Sequence, residues 1–140
     1  MLVEHRSPTF EQLTESLSML VQLTDKLREI LSSEPGTTNR CLSEARSAPR
    51  FRCCGKCIIT ISPDSYRMSG QESQSLGIVR DVSRKGFGIV AHQQWYPEQL
   101  VELLLENATV QTRVARARRA GPFCFEIGLI IVKYELHPDA

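Results

Sequence analysis

The chain has 140 residues, enough for one domain and an appended element but not for a second full core. A hydrophobic fraction of 41%, a charged fraction of 24% and a formal net charge of +1 describe an ordinary globular protein and exclude polyanion binding by bulk charge. Charge is nevertheless uneven: residues 1–45 hold four Lys/Arg against seven Asp/Glu, and residues 46–140 hold thirteen against nine. The basic second part suits a local anion site better than a nucleic-acid groove, which requires a basic stripe with interleaved aromatics.

Residues 1–8 lack a basic start followed by an apolar run, so no secretion signal is predicted, and no stretch of 18 apolar residues exists to span a membrane. The expected location is cytoplasmic. Five cysteines, an odd number, argue against a disulfide framework in such a chain.

Residues 9–33 read as one amphipathic helix. Phe10, Leu13, Leu17, Leu20, Thr24, Leu27 and Leu31 recur at spacings of three and four, the a/d seam of three heptads. Ser7 before Pro8, or Thr9 with Gln12, caps its start, and Glu34-Pro35-Gly36 ends it. Such a seam either packs on its own domain, capping an open barrel end, or pairs with a second copy to form a homodimer. Residues 36–45 are polar and read as a linker, which divides the chain into a helix (1–35), a linker (36–45) and a β domain (46–140).

Beyond the linker the pattern changes to strands. Residues 51–62 are rich in Cys, Ile and Thr and stop at a Ser-Pro-Asp-Ser turn. Residues 66–82 form a second extended region whose polar middle, 69–75, is expected to loop out. A short strand follows at 86–91, then a turn in which Trp95 and Tyr96 close one end of the core. Residues 100–105 are a buried strand or a short helix. Residues 109–119 alternate Val110, Thr112 and Val114 against Gln111, Arg113 and Ala115, the period of a half-exposed strand. After Ala120-Gly121-Pro122, residues 123–132 are almost continuously apolar. Six strands at hairpin spacing predict an antiparallel barrel or sandwich.

Two short motifs bracket the first strands: Arg46-Ser47-Ala48-Pro49-Arg50, and Asp81-Val82-Ser83-Arg84-Lys85-Gly86. Their order, an R-x-x-x-R arm before strand one and a D-x-S-x-x-G turn between strands two and three, resembles the signature of the PilZ family. The similarity spans residues 46–134. It implies a mainly β fold, a six-stranded antiparallel barrel, and a non-enzymatic bacterial receptor for the second messenger cyclic di-GMP. It assigns ligand contacts to Arg46, Arg50, Asp81, Ser83 and Gly86, with Arg52 and Arg80 as additional candidates.

The residue chemistry is consistent with such a ligand. Guanidinium groups form paired, charge-assisted hydrogen bonds to phosphate. Asp81 accepts from the donor edge of guanine, Ser83 supplies a hydroxyl that holds the turn, and Gly86 permits a positive φ or a close approach. The resemblance further implies a downstream protein partner, reached when ligand orders the joint between helix and barrel. The alternative is a PilZ-fold interaction module that binds no nucleotide.

Other motifs carry less. Cys54 and Cys57 have a C-x-x-C spacing, but a zinc site needs four converging ligands, and alternation along a strand separates the two side chains. Arg113, Arg116, Arg118 and Arg119 read as a solvated face of the fifth strand, or as positive potential beside the ligand site. His5, His92 and His137 have no partner by spacing, and no nucleophile elbow, phosphate loop or dinucleotide fingerprint occurs. Neither catalytic residues, metal nor cofactor is expected.

Overall fold

The computed structural model describes residues 9–32 and 51–137, with residues 51–54 described by backbone alone. The linker at 36–45 and the arm residues Arg46 and Arg50 lie outside the described residues. Six antiparallel strands form a closed barrel: β1 (Phe51–Ile61), β2 (Gln74–Val82), β3 (Gly86–Ala91), β4 (Leu100–Leu104), β5 (Ala108–Gly121) and β6 (Cys124–Leu136). The order around the barrel is β1-β2-β3-β6-β5-β4. Closure satisfies the backbone of a small β domain without leaving long bare edges.

Alternation fills the interior. Cys57, Ile59, Val79, Ile89, Val101, Leu103, Val110, Val114, Ile127 and Leu129 are buried in one cluster with Trp95. Trp95, 1% exposed, is buried in this core as expected, whereas Tyr96 is half-buried and outside the cluster. The polar stretch between β1 and β2 does loop out, over residues 62–73. It is held at its far end by Gln71 and Gln99, whose amides bond each other reciprocally at 3.0 and 2.7 Å. Gln99 is fully buried, and its amide is satisfied by this exchange together with the Tyr96 amide, which donates to its Oε1 at 2.8 Å, and the Tyr66 carbonyl, which accepts from its Nε2 at 3.3 Å.

The single long helix is corrected. Two short helices replace it: α1 (Phe10–Ser16) and α2 (Asp25–Ser32). The Thr9–Gln12 capping box starts α1, and Leu17 leaves it in an extended conformation. Thr24, assigned to the seam by periodicity, instead caps α2. Its hydroxyl accepts from the Leu27 amide at 3.2 Å, and its carbonyl accepts from the Arg28 amide at 2.9 Å. Between the helices, the Gln22 amide donates to the Phe123 carbonyl at 3.0 Å rather than to its own helix. Tertiary pairing with the β5–β6 turn therefore outweighs local periodicity. No helix among the described residues is long and apolar enough to cross a membrane.

The N-terminal segment also covers a different surface from the expected barrel end. Leu27 packs with Val90 and Cys124, joined by Val21, Leu23, Ile30, Ile78 and Ala120. Ile78 and Val90 are a cross-strand pair adjacent to the inward pair Val79 and Ile89, so they face outward. The segment thus forms a second small core on the outer wall of β2, β3 and β6.

Burial pushes the Cys57 thiol from 9.0 up to about 12, against a smaller opposing effect of its hydrogen bond with the Gly77 backbone. The folded state therefore keeps this proton after the unfolded chain has released it. The resulting stabilisation is complete below pH 9 and is lost as pH rises through about 12. We expect Cys57 to stay unmodified by a thiol reagent in native protein at pH 8, read by peptide mapping. Modification at the rate of a free thiol would show that the barrel interior is accessible.

Candidate functional site

The site is on the outer wall and is made by irregularities in the strands. On β2, Val79 pairs with Ile89 and Asp81 with Gly88, so Arg80 is an extra, bulged residue. Without that bulge Asp81 would point inward with Val79 and Val82 would point out. With it, Arg80 and Asp81 both belong to the outer face, and Val82 is 1% exposed in the core. On β5, Val114 pairs with Leu129 and Arg116 with Gly128, leaving Ala115 as the extra residue. That bulge turns Arg116 and Arg118 outward, where strict alternation from Val114 would bury them. A third irregularity lies on β1 between Arg52 and Gly55.

The register then assembles one row across five strands. Arg52 pairs with Asp81, Asp81 with Gly88, Gly88 with Gly128, and Gly128 with Arg116. The two glycines form a floor without side chains. A β-carbon at Gly88 would lie 2.7 Å from Asp81 Oδ1, and one at Gly128 would lie 3.0 Å from both Cγ and Nε of Arg116. Both side chains therefore lie flat on the floor their neighbours leave open, a recognised use of glycine within a strand. The groove around them has a volume of about 580 Å³.

The adjoining row is charged. Glu126, with its side chain 14% exposed, pairs with both Arg80 and Arg118. The hydrogen bond to Glu126 raises the Arg118 guanidinium further above its ordinary value. Two of the groove's arginines are thus held by one carboxylate, whereas the Arg116 side chain has no hydrogen bond or ion pair with any described residue.

The β2–β3 turn closes one end. The Ser83 amide donates to the Gly86 carbonyl at 2.8 Å, and the Ser83 hydroxyl accepts from the Gly86 amide at 3.2 Å. Ser83 therefore holds the turn, as expected. Gly86 does not take a positive φ; those found among the described residues are at Glu98, Phe123 and Gly70. Its requirement is close approach instead, because a β-carbon there would collide with the Leu129 carbonyl oxygen of β6.

Of the predicted site residues, Arg80, Asp81, Ser83 and Gly86 all line this groove. Arg52 is in register with Asp81, its side chain lying outside the described residues. The turn adjoins the start of β1, where Phe51 pairs with Val82. Sequence reasoning did not select Gly88 or Glu126, assigned no site role to Gly128, and offered Arg116 only as one of a run that is either a solvated face or positive potential beside the site. The available signal was a glycine inside each of two apolar strands, in Phe87-Gly88-Ile89 and Ile127-Gly128-Leu129.

Gly86→Ala is expected to lower stability by about 1–3 kcal/mol, the usual penalty of forcing extra atoms into a packed site. A matched unfolding curve for Lys85→Ala, in the exposed part of the same turn, should shift far less; equal shifts would place the constraint elsewhere. Comparison of the chain with models of known protein families, with curated proteins and with solved structures finds no match.

Proposed function

We propose that the protein is a non-enzymatic receptor of the PilZ type whose outer-wall groove binds cyclic di-GMP. The observation that carries this reading is the Asp81 carboxylate resting on the Gly88 floor beside the Ser83–Gly86 turn. A purine against this wall would meet no β-carbon at Gly88 or Gly128 and would find in Asp81 an acceptor for its N1–H and N2–H₂ donors.

The phosphates fall to the arginine arm. Arg50 directly precedes Phe51, and Phe51 pairs with Val82 at the edge of the turn. Its α-carbon is therefore about 3.8 Å from the start of β1, and that of Arg46 at most about 18 Å away by chain length alone. In this reading both meet a compact dianion held over the groove. Their guanidinium groups would bind phosphate oxygens by charge-assisted pairs. Pro49 restricts the arm and biases Ala48 towards an extended backbone.

The arm also joins the barrel to the N-terminal segment that carries α1 and α2. Ligand that fixes the arm would bias how this segment packs, and so its availability to a downstream partner. The size of that bias is bounded by the ligand's preference for the ordered arm.

Calorimetric titration of cyclic di-GMP should show saturable binding to the wild-type protein. The Arg46→Ala/Arg50→Ala variant should lose roughly 100-fold or more, since hydrogen bonds to charged groups contribute about 1.5–3 kcal/mol each. Equal affinities would refute the arm assignment, and absence of saturable wild-type binding would favour a barrel that serves as a protein-interaction module.

A further inference from the structure

We infer that Arg116, on β5 and outside both motifs, is a second base-reading residue that selects guanine over adenine in the groove. The inference rests on the receptor reading above and adds a specificity determinant to it. Three observations carry it. Arg116 is in register with Gly128, which is in register with Gly88, which is in register with Asp81. Its side chain runs from β5 over β6, as the 3.0 Å approach of both Cγ and Nε to a notional Gly128 β-carbon requires. It is exposed, and no described residue engages its guanidinium, although Arg80 and Arg118 beside it are both held by Glu126.

The two heads therefore lie side by side on a flat floor. The Asp81 carboxylate sits over Gly88 and the Arg116 stem and Nε over Gly128. An acceptor and a donor that follow one another along a single row complement guanine, whose N1–H and N2–H₂ donors adjoin its O6 and N7 acceptors. The carboxylate accepts from the first edge. The guanidinium donates to the second in the bidentate manner known for arginine and guanine. Adenine reverses the pattern at two positions, with an amino donor in place of O6 and an acceptor in place of N1–H. Both heads would then face groups of their own kind.

Glu126 sharpens this discrimination. By holding Arg80 and Arg118 it keeps two other guanidinium groups away from the floor. The base is then read by one donor and one acceptor, not by undirected positive charge.

The test is calorimetric titration of cyclic di-GMP and cyclic di-AMP into wild type, Arg116→Ala and Arg116→Lys, with thermal unfolding to show that the exposed substitutions leave the fold intact. Arg116→Ala should weaken cyclic di-GMP binding by roughly 10- to 100-fold, the range for one bidentate base contact. It should change cyclic di-AMP binding little, so the preference for guanine narrows. Arg116→Lys keeps the charge but loses the planar fork, and should resemble alanine. Wild-type affinity in Arg116→Ala, an equal loss for both dinucleotides, or full recovery in Arg116→Lys would each overturn the role of Arg116 alone. A wild-type protein that binds neither dinucleotide would overturn the receptor reading, and this inference with it.

Discussion

Everything on the outer wall depends on strand parity, and parity here is broken on purpose-built lines. A regular strand sends alternate side chains to opposite faces, so a charged residue next to another charged residue forces one of them inward. The extra residues Arg80 on β2 and Ala115 on β5 remove that conflict. They let Val79 and Val82 both face the core while Arg80 and Asp81 both face out, and they do the same for Val114 and Ala117 against Arg116. A bulge also adds twist and bends its strand. The glycine floor between the two bulges therefore has its walls tilted relative to a flat sheet, and the site is inseparable from the barrel's curvature.

Packing elsewhere holds this arrangement. The ends of the barrel are closed by different means: Trp95 and the Gln71–Gln99 exchange at one end, and the tight Ser83–Gly86 turn near the groove. Every polar group of the Gln71–Gln99 exchange is committed, so the loop at 62–73 is tethered where it could otherwise reach over the wall. Near the groove the close approach of Gly86 to the Leu129 carbonyl pins β3 onto β6. That contact brings Gly88 opposite Gly128, so a residue named by the motif for its ligand serves first to set the floor's register.

The sequence was legible where one local rule decided the outcome. Alternation and turn residues located six strands, with β3 matching at both ends and β2 trimmed by its looped polar start. The Asp81–Gly86 turn was readable from Ser83 and Gly86 alone. Legibility failed where a distant partner decided. The seam through Leu17, Leu20 and Thr24 is a sound helical pattern, yet Gln22 gives its amide to Phe123, far along the chain in the β5–β6 turn. Arg116 was one member of a run read either as a solvated face or as positive potential beside the site, because nothing local announces that Ala115 is bulged. The pairing of Gly88 with Gly128 joins strands that are forty residues apart in sequence, which no window along the chain displays.

The second small core has a consequence for how the wall communicates. Val90 is covered by Leu27, while its cross-strand neighbour is Glu126, the carboxylate shared by Arg80 and Arg118. The docked helix and the charged border of the groove thus rest on one pair of adjacent positions on β3 and β6. Thermodynamic linkage makes any coupling through them reciprocal: whatever factor an occupant of the groove applies to helix docking, docking applies to the occupant's affinity. Anything that lifted α2 off the wall would thereby change the affinity of whatever the groove holds.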